Sequence, residues 1–181
     1  MTSLAKRAAV QHAGLLLLQI DQHQFAAHVG QKQLVGLVQK LQGERLIASI
    51  MAQSMAEAML QMTIKYSRER TIFGKPISSF QHNTFKIVEM ATEIELGRTF
   101  LDSLIEDYIA GEDIVMKVSM AKAWIPEMAN RVAYHCVQLH GGYGYMEEYP
   151  ICRFARDVRV IPIFAGTTEV MKVIVGRMME L

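Results

Sequence analysis

From Glu44 onward, apolar residues recur every three or four positions: Leu46, Ile47, Ile50, Met51, Met55, Ala58, Met59 and Met62 trace one face of a helix running to about Arg68. A break follows at Thr71–Ile77, where Gly74 and Pro76 interrupt helical geometry. Ser78 with Gln81 three positions on fits a capping box, and Phe80, Thr84, Ile87, Ala91, Ile94, Leu101, Ile105 and Tyr108 trace a second helix ended by Gly111. Asp113 suits the N-cap of a third helix through Val118, Ala121, Trp124, Met128, Val132 and Leu139, in which Pro126 predicts a kink or a lost hydrogen bond. Residues 143–166 read as an irregular stretch with Pro150 and Pro162. Thr167 or Thr168 then caps a last helix carrying Glu169, Val170, Val173, Ile174 and Met178. Three long helices and a shorter one, joined by short breaks, predict an all-α antiparallel four-helix bundle.

Composition supports that outline: half the residues are hydrophobic, methionine is frequent at 13 and proline scarce at 4. The net charge of +1 provides no basic field, and no nucleic-acid motif is present. Cys136 and Cys152 have neither a Cys-x-x-Cys spacing nor a His partner at ligand spacing, so no metal site and no disulfide framework is expected. The longest apolar run falls far short of the ~20 residues that span a bilayer. Residues 1–36 differ in texture, with recurrent Gln and His (Gln11, His12, Gln19, Gln22, His23, Gln24, His28, Gln31, Gln33) and Asp21 as their one acid. Lys6 and Arg7 ahead of the apolar residues 13–18 are weakly like a targeting sequence. Gln19 and Asp21 truncate that run, so a short helix or disordered arm is the expectation.

Candidate chemistry gathers at the expected helix ends, in Glu44-Arg45, Arg70 to Gln81, Gln138 to Gly142 and Ala165 to Glu169. The glycine-rich run Gln138-Leu-His-Gly-Gly-Tyr-Gly-Tyr145 is first of all a helix stop, but it also lets main-chain N–H groups approach a flat or anionic ligand. Each cluster has an ordinary reading: Glu44 as a first-turn acid, Arg70 as a last-turn base, Thr167 as a cap. In an antiparallel bundle, ends distant in sequence can meet in space.

Taken together and in order, Arg70-Thr-Ile-Phe-Gly-Lys-Pro-Ile77, Phe80-Gln81, Gln138–Tyr145, Arg156-Asp-Val-Arg159 and Ala165-Gly-Thr-Thr-Glu169 resemble the C-terminal domain of acyl-CoA dehydrogenases, over about residues 37–181. The resemblance implies an FAD-dependent enzyme that oxidises the α,β bond of an acyl-CoA thioester and passes electrons to an electron-transfer flavoprotein. It also implies a homodimer or homotetramer, in bacterial cytoplasm or the mitochondrial matrix. Carried over by motif, Arg70, Phe73, Gln81 and Gln138, Leu139, His140, Gly141 and Gly142 would meet the FAD of a neighbouring subunit; Thr167, Thr168 and Glu169 would lie beside the FAD of their own. Ile72 departs from the pattern, since many members place there a Thr that reaches the flavin.

The reaction removes an α-proton while a hydride leaves the β-carbon, so it needs a carboxylate base shielded from water. Many members carry this Glu immediately before the Gly-Thr pair, where this chain has Ala165. Members resembling the long-chain and isovaleryl-CoA enzymes place it in a Glu-Arg-Leu context like Glu44-Arg45-Leu46. That makes Glu44 the expected catalytic base, with Arg45 and Gly166 on the substrate side. Residues 1–36 do not resemble the upstream helical and β domains of the family. The change in texture near residue 37 reads as a truncated gene, an altered frame or an alternative start. A rival expectation is a catalytically silent bundle that associates with itself through an apolar face.

Overall fold

The computed structural model describes residues 31–181, with side chains from residue 41; the expectations for the first 30 residues lie outside the described part. Its elements are helix α1 (Gln31–Glu69), a hairpin of β1 (Thr71–Ile72) and β2 (Lys75–Pro76), then α2 (Gln81–Ala110), α3 (Val115–His140), α4 (Pro150–Val158) and α5 (Thr168–Met178). Short 3-10 turns occupy Ile77–Ser79 and Gly141–Tyr145. The chain divides into one unit ending at Glu44 and another spanning Arg45–Leu181. The described part of the first unit is helical, belonging to α1.

The fold is all-α, as the periodicity predicts, with corrections at particular ends. α1 begins at Gln31, so Glu44 lies well inside the helix, and no acid stands in the first turn. The reading of Glu44 as a helix-dipole residue is therefore overturned, because that effect decays within the first turn. On α1 the large residues mark the buried face only in part: Leu46, Met59 and Leu60 are buried. Ala48, Ala52 and Ala56 are buried with Ser49 and Gln53, whereas Ile47, Ile50 and Met51 are exposed. Small side chains at i, i+4 spacing allow close helix packing, and Ser49 Oγ and Thr63 Oγ1 return their hydrogen bonds to the Arg45 and Met59 carbonyls of α1 itself.

The hairpin turns through Phe73 (φ 50°) and Gly74 (φ 77°), both left-handed as a two-residue turn of this kind requires, and Phe73 is left 92% exposed. The predicted capping box at Ser78–Gln81 does not form. Phe80 is the N-cap without a side-chain bond, and Asn83 and Thr84 instead donate to the Ile77 and Ser78 carbonyls at 2.9 and 2.8 Å. Gly111 ends α2 in the left-handed conformation (φ 78°). Ile114, not Asp113, is the N-cap of α3, although the Asp113 carboxylate accepts the Val115 N–H at 3.0 Å.

α3 is the central rod. Val118, Ala121, Ile125, Met128, Ala129, Val132, Ala133 and Cys136 are buried along it, and it runs uninterrupted through Pro126. α2 lies antiparallel to it, linked by Lys117–Asp107, by Arg131–Glu93 at 2.9 Å and by the Cys136–Met90 sulfur contact. Between α1 and α2, Gln53 donates to the Ile94 carbonyl at 2.9 Å and Glu57 pairs with Arg98. The stretch expected to be irregular contains α4, started by Pro150 at its first turn, where a missing N–H costs nothing. Both cysteines are free, and among the described residues no helix is long and apolar enough to cross a membrane.

Candidate functional site

The end of α3 is where the backbone stops being helical. Gly141 takes φ 61° and ψ −141°, which an L side chain resists, and the chain rolls into the 3-10 turn. Gly144 is forced to be glycine by contact, because a Cβ there would sit 2.6 Å from the Val137 carbonyl oxygen. Tyr66, near the end of α1, stacks on His140 (ring centroids 4.2 Å apart) and donates from its hydroxyl to the His140 carbonyl at 3.2 Å. Arg70 follows one turn on and places its guanidinium 5.3 Å from the Tyr143 ring centre.

These ends enclose a cleft of about 710 Å³, walled by Ile72, Ile77, Leu139 and Met146 and fringed by Asn83, Gln138 and the glycine turn. Its charge is one-sided. Arg70 and Lys86 line it beside the rings of His82, His135 and His140, and no carboxylate does, although Lys86 pairs with Glu89 nearby at 2.7 Å. A cationic, part-apolar cleft beside glycines with open space over them suits a flat ligand carrying phosphates, since a Cβ at Gly141 or Gly142 would have no neighbour within 4 Å. On donor set and shape, the cleft fits part of an FAD.

His140 itself is structural on one side. Its Nδ1 is 2.8 Å from the Cys136 carbonyl, which can only accept, so the neutral ring carries its proton there. Burial holds its pKa below the usual histidine value, with the Cys136 bond opposing. A folded-state pKa below the unfolded one contributes stability at neutral pH that is lost on acidification. Thermal melts between about pH 7.5 and 5 are therefore expected to show an acid loss that His140→Phe, which keeps the stacked ring, reduces.

A second constellation lies elsewhere on α3. Lys122, fully buried, donates from Nζ to the Ile161 carbonyl at 2.8 Å and the Gly166 carbonyl at 3.0 Å. Burial pulls its pKa down to about 8, helped by the positive charge of Arg45 and opposed by Glu127. The turn it holds runs through Ala165 (φ 55°) and Gly166 (φ 99°) into α5, where Thr167 caps the helix by accepting the Val170 N–H at 3.3 Å. Thr168 is buried, and its hydroxyl donates to Glu127 at 2.9 Å. Glu169 is exposed; its own backbone N–H and the Thr167 hydroxyl hold its carboxyl below the usual range.

The structure thus brings Arg70, Gln138, Leu139, His140, Gly141 and Gly142 into one cleft. Phe73 projects from the hairpin tip and Gln81 is exposed at the first position of α2, both outside the cleft lining. Arg45, Gly166, Thr167, Thr168 and Glu169 belong with Lys122. Eighteen residues of helix separate Lys122 from His140, about 27 Å along the axis at 1.5 Å per residue. Glu44 is exposed on α1, next to the buried Arg45. Sequence reasoning missed Tyr66, His82, Asn83, Lys86, His135 and Lys122. Lys122 had a signal, being four residues after Val118 and three before Ile125 on the apolar stripe of α3.

Comparison with known proteins identifies the fold and the family. Residues 36–180 match the family model described as "Acyl-CoA dehydrogenase, C-terminal domain". The mitochondrial long-chain specific acyl-CoA dehydrogenase of Rattus norvegicus is 43% identical over 141 residues, covering 78% of this chain and 33% of that protein. The crystal structure of an acyl-CoA dehydrogenase from Geobacillus kaustophilus superposes with a TM-score of 0.81 at 55% identity, over 83% of this chain and 40% of that one. Butyryl-CoA dehydrogenase from Megasphaera elsdenii gives a TM-score of 0.78 at 34% identity, over 80% of this chain and 38% of its own. The chain spans about a third of the length of the curated relatives it matches.

Proposed function

This chain belongs to the acyl-CoA dehydrogenase family through its C-terminal helical domain, and on that premise we propose that it serves an FAD-dependent desaturation of an acyl-CoA thioester. FAD, when bound, supplies the acceptor for the hydride leaving the β-carbon. The observation that carries the proposal is the carboxylate-free cleft in which Arg70 faces the glycine turn. Arg70 would meet a pyrophosphate, Gln138 would offer its amide, and Gly141 and Gly142 would let the ligand lie against main chain. At the other constellation, Gly166, Thr167 and Glu169 would border a second flavin, and Arg45 the substrate. Glu44 would take the α-proton. Electron-transfer flavoprotein would be the electron acceptor.

The glycines provide a clean test. A methyl at Gly142 enters open space, and the residue has no positive φ, so Gly142→Ala is expected to change stability by no more than about 0.5 kcal/mol. The same methyl stands where the flavin would approach, and an FAD titration should show affinity reduced at least ~10-fold, the equivalent of about 1.4 kcal/mol. Wild-type affinity in the variant would remove the glycine turn from the site.

A second reading, self-association, draws on the exposed apolar residues of α2: Phe85 and Val88 one turn apart, with Leu96 two turns further along the same face. It accompanies the first, because family members are usually dimers or tetramers, and sedimentation of the purified chain would measure it.

A further inference from the structure

Two left-handed residues in succession, Ala165 (φ 55°) and Gly166 (φ 99°), make a turn that the local sequence does not favour, since Ala has a Cβ that resists this conformation. Something outside the turn must hold it. The described contacts supply one candidate, the Lys122 ammonium, which reaches from the middle of α3 to the carbonyls of Ile161 and Gly166 on either side of the bend. A peptide unit is planar and trans, so its C=O and N–H point in opposite directions. With the Gly166 carbonyl drawn inward to a fully buried amine, the Thr167 N–H of the same peptide is turned away from the core. The next amide behaves differently: the Thr168 N–H is used internally, on the Pro162 carbonyl at 3.1 Å, while the Thr167 N–H has no partner among the described hydrogen bonds.

We propose that Lys122 is a positioning residue: acting through the Gly166 carbonyl, it aims the Thr167 main-chain N–H outward as a donor to the flavin. The inference rests on the reading of the Gly166–Glu169 turn as flavin-facing. A cation on the carbonyl oxygen also polarises the peptide and strengthens its N–H as a donor. Lys122 is surrounded by few charges. Arg45 on α1 repels it, Glu127 one turn on along α3 attracts it, and the Phe164 ring lies 5.9 Å away on the segment it holds. Its ammonium loses a proton at about pH 8, so the donation to Gly166 weakens above that pH.

Three readouts on the purified chain test the proposal. Hydrogen–deuterium exchange compares the wild type with Lys122→Met, which keeps the apolar stem and donates nothing. Amides of residues 161–168 are expected to exchange at least tenfold faster in the variant, with α2 unchanged. In the wild type alone, the carbonyl carbon-13 shift of Gly166 should titrate with a midpoint near pH 8, and this titration should vanish in Lys122→Met. Added FAD should shift the Thr167 amide in the wild type and shift it less in the variant. Unchanged exchange at 161–168, loss of protection in every helix, or a Gly166 carbonyl that ignores pH would each overturn the role of Lys122. A wild-type Thr167 amide that ignores FAD while the first two readouts hold would leave a turn clamp without a ligand role, overturning the aiming of the N–H and with it the flavin-facing reading of the turn.

Discussion

Glu44→Gln is expected to slow reduction of bound flavin by acyl-CoA by about 10²–10⁴-fold while FAD stays bound, the range general-base removal produces. Glutamine has nearly the shape of glutamate but cannot accept the α-proton. Two observations favour Glu44 over the alternatives. Ala165 stands where many relatives carry the base, so that position has no carboxylate. The competing account of Glu44 as a helix-dipole residue fails because α1 starts at Gln31. Glu44 is exposed, so to act as a base it would need shielding supplied by other parts of an active assembly. Anaerobic stopped-flow bleaching of the flavin, in an assembly that supplies it, measures the effect. Unchanged reduction would remove Glu44 from the reaction.

The second large effect is on the bundle. Ile125 is fully buried at the middle of α3, one turn from Lys122, and belongs to the core shared by all three long helices. Ile125→Ala removes three carbons where neighbouring rods limit collapse, at a cost of about 2–5 kcal/mol. For a chain of this size that lowers the melting temperature by roughly 4–20 °C. Differential scanning calorimetry reads it directly. The cleft proposed for FAD, at the far end of α3, should keep its affinity at temperatures where the variant is folded.

The helices and their order were legible because α2 and α3 carry strong three-four periodicity, ended by Gly111 and Gly141 in left-handed backbone. α1 was harder to read. Leu46 and Met59 of the predicted stripe are buried, but so are Ala48, Ala52, Ala56, Ser49 and Gln53, while Ile47, Ile50 and Met51 face outward, so hydrophobicity alone marked the face only in part. Faces of small residues follow from packing distance, which periodicity does not encode. α4 was hidden by Pro150, a residue that breaks helices inside and begins them at the first turn. The capping box at Ser78 failed because α2 starts only at Gln81 with Phe80 as its N-cap, which leaves Ser78 in the preceding 3-10 turn.

Site residues followed the same division. Arg70 and Gln138–Gly142 were singled out by motif, and their meeting in one cleft is a consequence of α1 and α3 ending side by side. Tyr66, His82, Asn83 and Lys86 carry no motif; they line the cleft because of where α1 ends and α2 begins. Lys122 was concealed by an ordinary setting, a long aliphatic stem on an apolar stripe. What distinguishes it is that its charged end is buried on two carbonyls some forty residues away in sequence.

One measurement bears on the whole account: amide NMR of the purified chain during titration with FAD. The account predicts saturable shifts centred on Arg70, Gln138, Gly141 and Gly142, with Gly142→Ala losing them while remaining folded. Absence of saturable shifts at those residues, with binding lost or located on another face of the bundle, would contradict it.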